Sequence, residues 1–443
     1  MEKPPDAPPR TKNITAFMKE RLSKRLLELL RHIGEVAEQL GYSAYVVGGF
    51  VRDLFLYRHN EDIDIVIEGN GIEFAKRFAK LYGARINAYE KFGTAIIIFP
   101  DGFKPDGFKI DVASARMEYY NAPAALPTVE MSSIKMDLFR RDFTVNTLSV
   151  ALNTSTFGHL IDFFGAQRDL KAKVIRILHN LSFVEDPTRV FRAIRFEQRF
   201  GFTIGKLTSG LIENAVKMDF FKRLSGRRMF SELCHILEEE NPTPYLIRLN
   251  DYHLLKVVDP SFVLNQKLIF YFNSTKKVLS WFDLLFTEES YMKWAVYFMV
   301  MLRHKDKNKS EGICRRLELA PKHQKIFIRD RLFAEDCLNR LYRNLPNKVS
   351  DIHRELKDLK IELLLYIMSI TTHQQLVKNI SYYVTDLRNI RLSVSGKDIQ
   401  ALGLSPSPVY GKILSAVIDA KLNGLVKTHD EELELLKKYV GKF

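Results

Sequence analysis

The spacing of apolar residues separates two kinds of pattern along the chain. Up to about residue 165, segments with helical periodicity alternate with short segments in which apolar and polar residues follow one another at period two. From about residue 170 to the end, helical periodicity dominates. The pattern predicts an α/β head with a mixed or antiparallel sheet, followed by an all-helical remainder.

The head is expected to contain two helices, a short helical turn and six strands. The helices are predicted over 14–40 and 72–82, and the turn over 52–57. The strands are predicted over 44–47, 62–67, 94–99, 108–113, 148–152 and 159–163. Two Asp-Gly pairs in a tandem repeat at 101–109 predict a hairpin tip between the strands at 94–99 and 108–113.

Prolines and changes of composition predict the division of the chain into domains. The opening residues are rich in proline, which is typical of a linker or tail. Further proline-containing breaks lie at 242–244 and 344–346. We therefore expect a linker or tail over 1–12, a head over 13–165, and a helical neck, body and tail over 166–245, 246–345 and 346–443.

Charge and composition narrow the class of partner. The 443 residues carry a net charge of +14 and a pI of about 9.4, which favours a polyanionic partner such as nucleic acid. The three cysteines are widely spaced and form no CxxC pattern, so we expect a reducing, cytoplasmic location. The longest apolar run, 294–302, has nine residues, is too short to cross a bilayer and predicts a buried helix.

A glycine pair at a strand end is the first candidate for phosphate binding. Gly48 and Gly49 follow the strand at 44–47 and precede a helical turn. Glycine lets backbone N–H groups approach a phosphate, and Arg52 would donate to the same phosphate as a fork. Since Gly-Gly turns are common, this pattern alone is weakly specific.

Three aspartates are the candidate catalytic residues. Asp62 and Asp64 are two residues apart on a predicted strand, so their carboxylates share one face and repel each other. A Mg²⁺ ion between them would remove that cost and support in-line phosphoryl transfer. Asp111 lies within the apolar strand 108–113 and would join them if the strands are adjacent, and Arg116 follows it. The alternatives are two solvated aspartates and a structural ion pair for Asp111.

Four sequence motifs resemble one family in order and spacing. They are VVGGFVRD at 46–53 with DIDIV at 62–66, RRDFTVN at 140–146, EDPTRVFRAIRF at 185–196, and LSGRR at 224–228. The set is similar to the motifs of class II tRNA nucleotidyltransferases and bacterial poly(A) polymerases. The resemblance implies template-independent transfer of a nucleotide from a nucleoside triphosphate to an RNA 3′ end, with release of pyrophosphate.

The resemblance also implies a role for each matching residue. Asp62 and Asp64 would bind the metal and Asp111 would be the third carboxylate, with Gly48, Gly49 and Arg52 at the triphosphate. Asp142 would contact the ribose, and Asn146 the phosphates or their metal. The remaining nucleotide-binding candidates are Arg116, Arg141, Glu185, Asp186, Arg189, Arg192 and Arg195. The neck would recognise the base, and the tail would bind the tRNA acceptor arm.

The choice of base also follows from hydrogen-bond chemistry. Asp186 offers an acceptor and Arg189, one helical turn later, offers donors, which matches the edges of both adenine and cytosine. Guanine and uracil present the opposite polarity and would leave charged groups unpaired. A capped helix start with an ion pair is the structural alternative, and the two interpretations are compatible.

Two segments favour the A-adding members of the family. The loop at 115–134 resembles that of A-adding enzymes with extra N-terminal domains, and 1–40 resembles the junction to those domains, so further domains are expected. Prolines at 123 and 127 favour a stiff loop over 117–127 and one nucleotide, ATP. The alternatives are a full CCA-adding enzyme that uses CTP and ATP, a poly(A) polymerase, a non-catalytic RNA-binding protein and a small-molecule transferase.

The charge and the tail generate a prediction on RNA affinity. Each phosphate neutralised adds roughly 0.9 to the slope of log affinity against log salt on duplex. We expect tRNA affinity to fall steeply with salt, and removal of residues 392–443 to weaken binding further. Filter-binding titrations over a salt series measure both effects, and a salt-independent affinity would contradict the prediction.

Overall fold

The computed structural model describes residues 12–103, 107–119, 124 and 127–442. The chain divides into two compact units. The first consists of the chain up to Leu224 together with Arg248–Val257, and the second of Ser225–Ile247 together with Val258–Phe443.

A mixed sheet organises the first unit. Within the described residues, eight strands form it in the order β1-β10-β9-β2-β3-β6-β5-β4. Strands β3 and β6 run parallel, and the other neighbours are antiparallel. The strands are β1 (Lys12–Asn13), β2 (Ser43–Val47), β3 (Ile63–Glu68), β4 (Arg85–Tyr89), β5 (Thr94–Ile98), β6 (Lys109–Ser114), β9 (Ser149–Ala151) and β10 (His159–Ile161).

Two small ribbons complete the strands of this unit. Strands β7 (Arg116–Tyr119) and β8 (Thr128–Met131) pair antiparallel, and β11 (Val174–Ile175) and β12 (Thr203–Ile204) pair parallel. The sequence analysis predicted none of these four strands, nor β4. Most of β4 is exposed, and its short sequence, RINAY, includes asparagine and alanine, which are uncommon in strands. The pair β11–β12 also corrects the expectation that the chain beyond residue 170 contains no strands.

The helices of the first unit cover its sheet and form its second half. They are α1 (Thr15–Arg21), α2 (Lys24–Gln39), α3 (Gly49–Phe55), α4 (Gly71–Tyr82), α5 (Ile134–Phe139), α6 (Ala166–Ala172), α7 (Ser182–Glu185), α8 (Thr188–Phe200) and α9 (Lys206–Lys217). The single helix predicted over 14–40 is wrong, because Leu22 and Ser23 are extended and interrupt it. The Ser23 side chain accepts from Leu26 N–H and starts a new helix.

The predicted hairpin between the strands at 94–99 and 108–113 is confirmed. Strands β5 and β6 pair antiparallel, and Phe99 N–H donates to the carbonyl of Phe108. The rings of Phe99 and Phe103 stack with centroids 4.1 Å apart, and Phe108 lies within 5.4 Å of both. Residues 104–106 of the tandem repeat lie outside the described residues.

The described part of the second unit is helical. Its helices begin with α10 (Gly226–Leu237), and α11 (Thr243–Asp251) and α12 (Leu254–Val258) each belong to both units. The others are α13 (Gln266–Asp283), α14 (Lys293–Met301), α15 (Lys307–Arg316), α16 (Pro321–Lys325), α17 (Arg331–Arg343), α18 (Val349–Leu356), α19 (Ile361–Ile370), α20 (Gln374–Thr385), α21 (Gly396–Ala401), α22 (Val409–Leu422) and α23 (His429–Val440).

Two helices form the centre of the second unit. Every residue of α19 is buried, and α14 is buried from Ala295 to its end. This confirms that the apolar run at 294–302 is a buried helix. In the described part of the chain, every helix is too short or too polar to span a bilayer.

A buried carboxylate holds the last helices together. Glu432, in the acidic run that opens α23, is fully buried and accepts hydrogen bonds from Lys421 Nζ at 2.6 Å, Ser393 N at 2.8 Å and Ser393 Oγ at 2.7 Å. Burial alone would raise the pKa of Glu432, but the donors of Lys421 and Ser393 outweigh it and hold the pKa below its ordinary value. The ionised form is therefore the one that the fold stabilises.

Replacement of this carboxylate is expected to destabilise the second unit in a pH-dependent way. Glu432→Gln removes the charge that these three donors and Val394 N–H, at 3.3 Å, face, so the free energy of unfolding should fall by about 1–3 kcal/mol at pH 7. Because the folded pKa is depressed, the contribution is complete above the unfolded pKa of about 4.3 and is lost as pH falls through the folded pKa.

Urea unfolding at pH 7 and again below about pH 4 measures this difference. The matched control is Glu434→Gln, because Glu434 is exposed on the same helix. A loss of stability in Glu432→Gln that is equal at both pH values would contradict the ionised-carboxylate explanation.

Candidate active site

The parallel pairing of β3 and β6 brings two of the three predicted carboxylates together. Asp64 and Asp111 are direct partners in the register of these strands, and both are half-buried. Asp62 lies one residue before β3, is exposed, and donates its N–H to Asn60 Oδ1 at 2.8 Å. Lys109 Nζ lies 3.9 Å from Asp111 Oδ2, a half-exposed ion pair of little energy.

The carboxylates disfavour one another in the ionised state. Burial raises the pKa of Asp64, Arg141 opposes the rise, and the nearby charges of Asp111 and Asp62 add to it. Such a cluster of oxygen ligands suits a hard divalent cation. Among the described residues, no three His, Cys, Asp or Glu side chains could hold a metal ion by themselves. Mg²⁺ is usually bound by one or two carboxylates together with substrate phosphates, so the pair fits that mode of binding.

The glycine turn lies directly beside the carboxylates. Gly48 has a φ of +71°, and a Cβ built there would be 2.5 Å from Arg141 Nη1 and 3.7 Å from Asp64 Oδ2. The positive φ favours glycine, and a Cβ here would force the Arg141 guanidinium to move, whereas 3.7 Å from Asp64 is ordinary van der Waals contact. Arg141 Nη2 is 3.3 Å from Asp137, which is fully buried, and Arg141 Nε is buried without a hydrogen-bond partner among the described residues.

A buried hydrogen-bond chain connects the predicted motifs. Arg52 donates through Nε and Nη2 to the two carboxylate oxygens of Asp53 at 2.8 and 2.9 Å, and through Nη1 to Asn146 Oδ1 at 2.6 Å. Asn146 Nδ2 donates to Asp142 Oδ1 at 2.8 Å. Arg192 Nε donates to Asp142 Oδ2 at 2.8 Å, and Arg192 Nη2 lies 2.6 Å from the same oxygen. These hydrogen bonds therefore join α3, the RRDFTVN motif and α8.

The same hydrogen bonds also determine the charge state of Asp142. Its side chain is 8% exposed, so burial alone would raise the pKa, but Arg192 and Asn146 outweigh burial and hold the pKa below its ordinary value. The carboxylate is thus ionised in the folded protein. Its predicted ribose contact and the predicted phosphate contact of Asn146 stay predictions.

The first turn of α8 carries the predicted base-reading pair. Asp186 Oδ1 accepts from Thr188 N at 3.0 Å and Thr188 Oγ1 at 2.6 Å, so its side chain caps the helix as expected. Arg189 is 5% exposed and donates to Ser182 Oγ at 2.7 Å and to the carbonyl of Arg140 at 2.8 Å. Two groups distant in sequence therefore fix the direction of its guanidinium.

Glu185 and His179 lie next to this pair. Arg189 Nη1 is 3.7 Å and His179 Nε2 is 3.4 Å from Glu185 Oε2. Burial, with a contribution from Arg189, lowers the pKa of His179 to about 4, so this imidazole is neutral at neutral pH. Arg195, also a predicted nucleotide-binding residue, is 8% exposed, and its guanidinium lies 5.7 Å from the Phe196 ring centroid.

A carboxylate on β7 connects Arg116 with the base-reading region. Arg116 Nη2 lies 3.3 Å from Glu118 Oε1, and Arg140 Nη1 donates to the same oxygen at 3.0 Å. Arg116 Nη1 donates to the carbonyl of Phe92 at 2.8 Å. The loop at 117–127 was predicted to be stiff. Most of it, including Pro123, lies outside the described residues, so this stays a prediction.

Several of these groups were not predicted. The sequence analysis assigned no role to Asp53, Asp137, Glu118 or Ser182. Asp53 was detectable, because it directly follows Arg52 within the quoted motif. Asp137 lies three and four residues before Arg140 and Arg141, a helical spacing that the sequence shows, and Ser182 lies seven residues before Arg189. Glu118 and Arg140 are 22 residues apart, and one sequence contains no signal for that contact.

Comparison with known proteins gives one family along the whole chain. Residues 44–176 match the family described as Poly A polymerase head domain. The A-adding tRNA nucleotidyltransferase of Geobacter sulfurreducens is 45% identical over 432 residues, which cover 97% of this chain and 48% of that protein. The enzyme of the same name from Aquifex aeolicus is 34% identical over 79% of this chain and 41% of its own. The chain thus spans about half the length of these two relatives.

Other relatives match end to end. An A-adding tRNA nucleotidyltransferase of Halalkalibacterium halodurans is 26% identical over 96% of both chains. The solved structure of a CCA-adding enzyme in its apo form II has a TM-score of 0.81, is 33% identical and covers 98% of this chain and 99% of its own. The Thermotoga maritima CCA-adding enzyme in complex with tRNA has a TM-score of 0.75 at 31% identity, over 96% of this chain and 98% of its own.

The geometry of α8 generates a prediction on nucleotide choice. Arg189→Ala removes the fixed donor, and Asp186→Ala removes the fixed acceptor, so each variant should slow the reaction and lose about 10- to 100-fold of the ATP preference over GTP. Competition between labelled ATP and GTP in single-nucleotide incorporation measures the ratio. Arg199→Ala is the matched control, since Arg199 is exposed on the same helix. Unchanged discrimination in both variants would locate base reading elsewhere.

Proposed function

The chain belongs to the family of class II tRNA nucleotidyltransferases and bacterial poly(A) polymerases, and we propose that it adds AMP from ATP to a tRNA that ends in CC. The observation that carries the proposal is the juxtaposition of Asp64, Asp111 and the Gly48 turn within a chain that is 45% identical to an A-adding enzyme. The products would be a tRNA with a completed CCA end and pyrophosphate.

The residues of the head would share the transfer step. Asp62 and Asp64 would hold Mg²⁺, which would neutralise the triphosphate and polarise its α-phosphate when bound. Asp111, in register with Asp64, would orient the attacking 3′-hydroxyl of the RNA. That oxygen would attack the α-phosphorus while its proton passes to the Asp111 carboxylate, the bond to the oxygen that bridges to the β-phosphate would break, and pyrophosphate would leave. Arg52 and Arg141 would bind the phosphates, and the turn at Gly48 and Gly49 would let them approach the backbone.

The neck would replace a nucleic-acid template. Adenine presents an amino donor next to a ring acceptor, and Asp186 and Arg189 offer the complementary acceptor and donors. The hydrogen bonds of Arg189 to Ser182 and to the Arg140 carbonyl support a base reader with one fixed direction. Such a reader does not separate adenine from cytosine by polarity, so the size of the pocket would have to do so.

The full CCA-adding reaction is the second candidate. Solved CCA-adding enzymes resemble this chain over nearly its whole length, and they differ from an A-adding enzyme in accepting CTP as well. A poly(A) polymerase would share the preference for ATP but would add many residues. The relatives named as A-adding favour one AMP.

The decisive experiment varies the RNA end. Three transcripts of one tRNA, ending before CCA, after C and after CC, are each incubated with the protein, Mg²⁺ and labelled ATP or CTP. We expect one AMP on the CC transcript and no efficient CMP incorporation on any. Efficient CMP addition to the first two transcripts would establish the CCA-adding alternative, and a ladder of AMP products would establish the poly(A) alternative.

The catalytic carboxylates provide the internal control. Asp64→Ala and Asp62→Ala should abolish incorporation while RNA binding, measured on the same transcripts, remains. Wild-type turnover in either variant would remove the two-carboxylate mechanism. Loss of RNA binding together with activity would instead point to a folding defect.

A further inference from the structure

Two phenylalanines in the last turns of α8 form a platform beside Arg52. The rings of Phe196 and Phe200 stack with centroids 5.5 Å apart and an interplanar angle of 9°. The guanidinium carbon of Arg52 lies 4.5 Å from the Phe200 centroid and 5.5 Å from that of Phe196. Arg58 lies 5.0 Å from the Phe200 centroid as well. Phe200 is therefore in contact with two cations and two rings, those of Phe196 and Phe202.

The platform completes a set of contacts that fixes the direction of Arg52. Asp53 takes two N–H bonds of the guanidinium and Asn146 takes a third. Asn60 Nδ2 donates to Asp53 Oδ2 at 2.7 Å and so holds that carboxylate in place. Of the five guanidinium N–H bonds, one on each Nη remains for a ligand as far as the described residues go.

The fixed guanidinium lies beside the glycine turn. A Cβ built on Gly49 would be 3.6 Å from Arg52 Nη2. An arginine normally loses rotamer entropy when a ligand immobilises it. Here the folded protein has already restricted the side chain, which is 7% exposed, so a phosphate at the turn would bind without that cost.

The same helix carries the platform and the base reader at opposite ends. Asp186 lies two residues before its start and Arg189 lies in its first turn, whereas Phe196 and Phe200 lie in its last two turns. We propose that Phe200 and Asp53 are positioning residues for the nucleoside triphosphate, because they hold the Arg52 guanidinium at the Gly48–Gly49 turn. The helix α8 then sets the distance between the group that reads the base and the group that binds the phosphates. The inference rests on the proposed function.

Phe200 is the better residue to test, because its removal disturbs the core least. Phe196 is 6% exposed, whereas Phe200 is half-buried. Phe202 is the matched control: it is 6% exposed, its ring centroid is 5.6 Å from that of Phe200, and the described structure contains no arginine over its ring. Phe200→Tyr keeps the aromatic face and serves as the conservative variant.

The test separates phosphate affinity from base affinity. For each variant of the full chain, the KM and kcat for ATP are measured on a tRNA ending in CC, and adenosine, which has no phosphate, is measured as a competitive inhibitor. In Phe200→Leu we expect the KM for ATP to rise on the order of tenfold, with kcat and the adenosine inhibition constant little changed. Phe200→Tyr should restore the wild-type KM, and Phe202→Leu should keep the wild-type ratio of ATP to adenosine affinity.

Asp53→Asn keeps the inference testable if Phe200→Leu does not fold. It replaces one acceptor of the Arg52 fork by a donor, so it should produce the same selective loss of ATP affinity. Equal losses for ATP and adenosine, or an unchanged ATP-to-adenosine ratio in Phe200→Leu and Asp53→Asn, would overturn the inference. A wild-type chain that incorporates no AMP would contradict the proposed function instead, whatever the variants do.

Discussion

A buried arginine imposes the constraint on which the first unit depends. Arg52 is 7% exposed, and a guanidinium taken out of water must be given acceptors within the fold. Asp53 provides two, and Asn146 provides a third and passes the connection on to Asp142 and thus to Arg192. Removing Asp53 would leave Arg52 buried without its ion-pair partner, and removing Arg192 would do the same to Asp142. The need to pair the buried charges of Arg52 and Asp142 therefore connects three sequence motifs in the folded unit.

By contrast, the candidate catalytic carboxylates lie next to groups of the same charge. Asp64 and Asp111 are direct partners on parallel strands, where their charges repel, and burial raises the pKa of Asp64 further. Arg141 offsets part of this cost, and Asp137, fully buried, holds Arg141 beside the Gly48 turn. The carboxylates thus carry negative charge that Arg141 only partly compensates. Such a cluster favours a divalent cation, which can in turn bind a triphosphate.

Helix α8 connects these two arrangements. Its first turn carries Asp186 and Arg189, its middle carries Arg192, and its end carries the ring of Phe200 against Arg52. Because a helix is stiff over this length, the groups that we propose bind different parts of one nucleotide keep a constant separation. Relatives named as A-adding and as CCA-adding both match this chain over nearly its whole length, so likeness of fold alone does not separate the two activities.

The sequence alone determined the residue types that the chemistry requires and the elements that carry them. Alternation and glycine turns predicted most strands of the sheet, and a nine-residue apolar run predicted a buried helix. Only the tertiary structure decided that the segment 14–40 is two helices, that β4 pairs at the exposed edge of the sheet, and that Glu118 and Glu432 contact partners far along the chain. The order of apolar and polar residues along the sequence indicates which positions are buried, and glycine and proline indicate where the backbone turns. Partners separated by tens of residues are chosen by packing, and one sequence carries no separate signal for that choice.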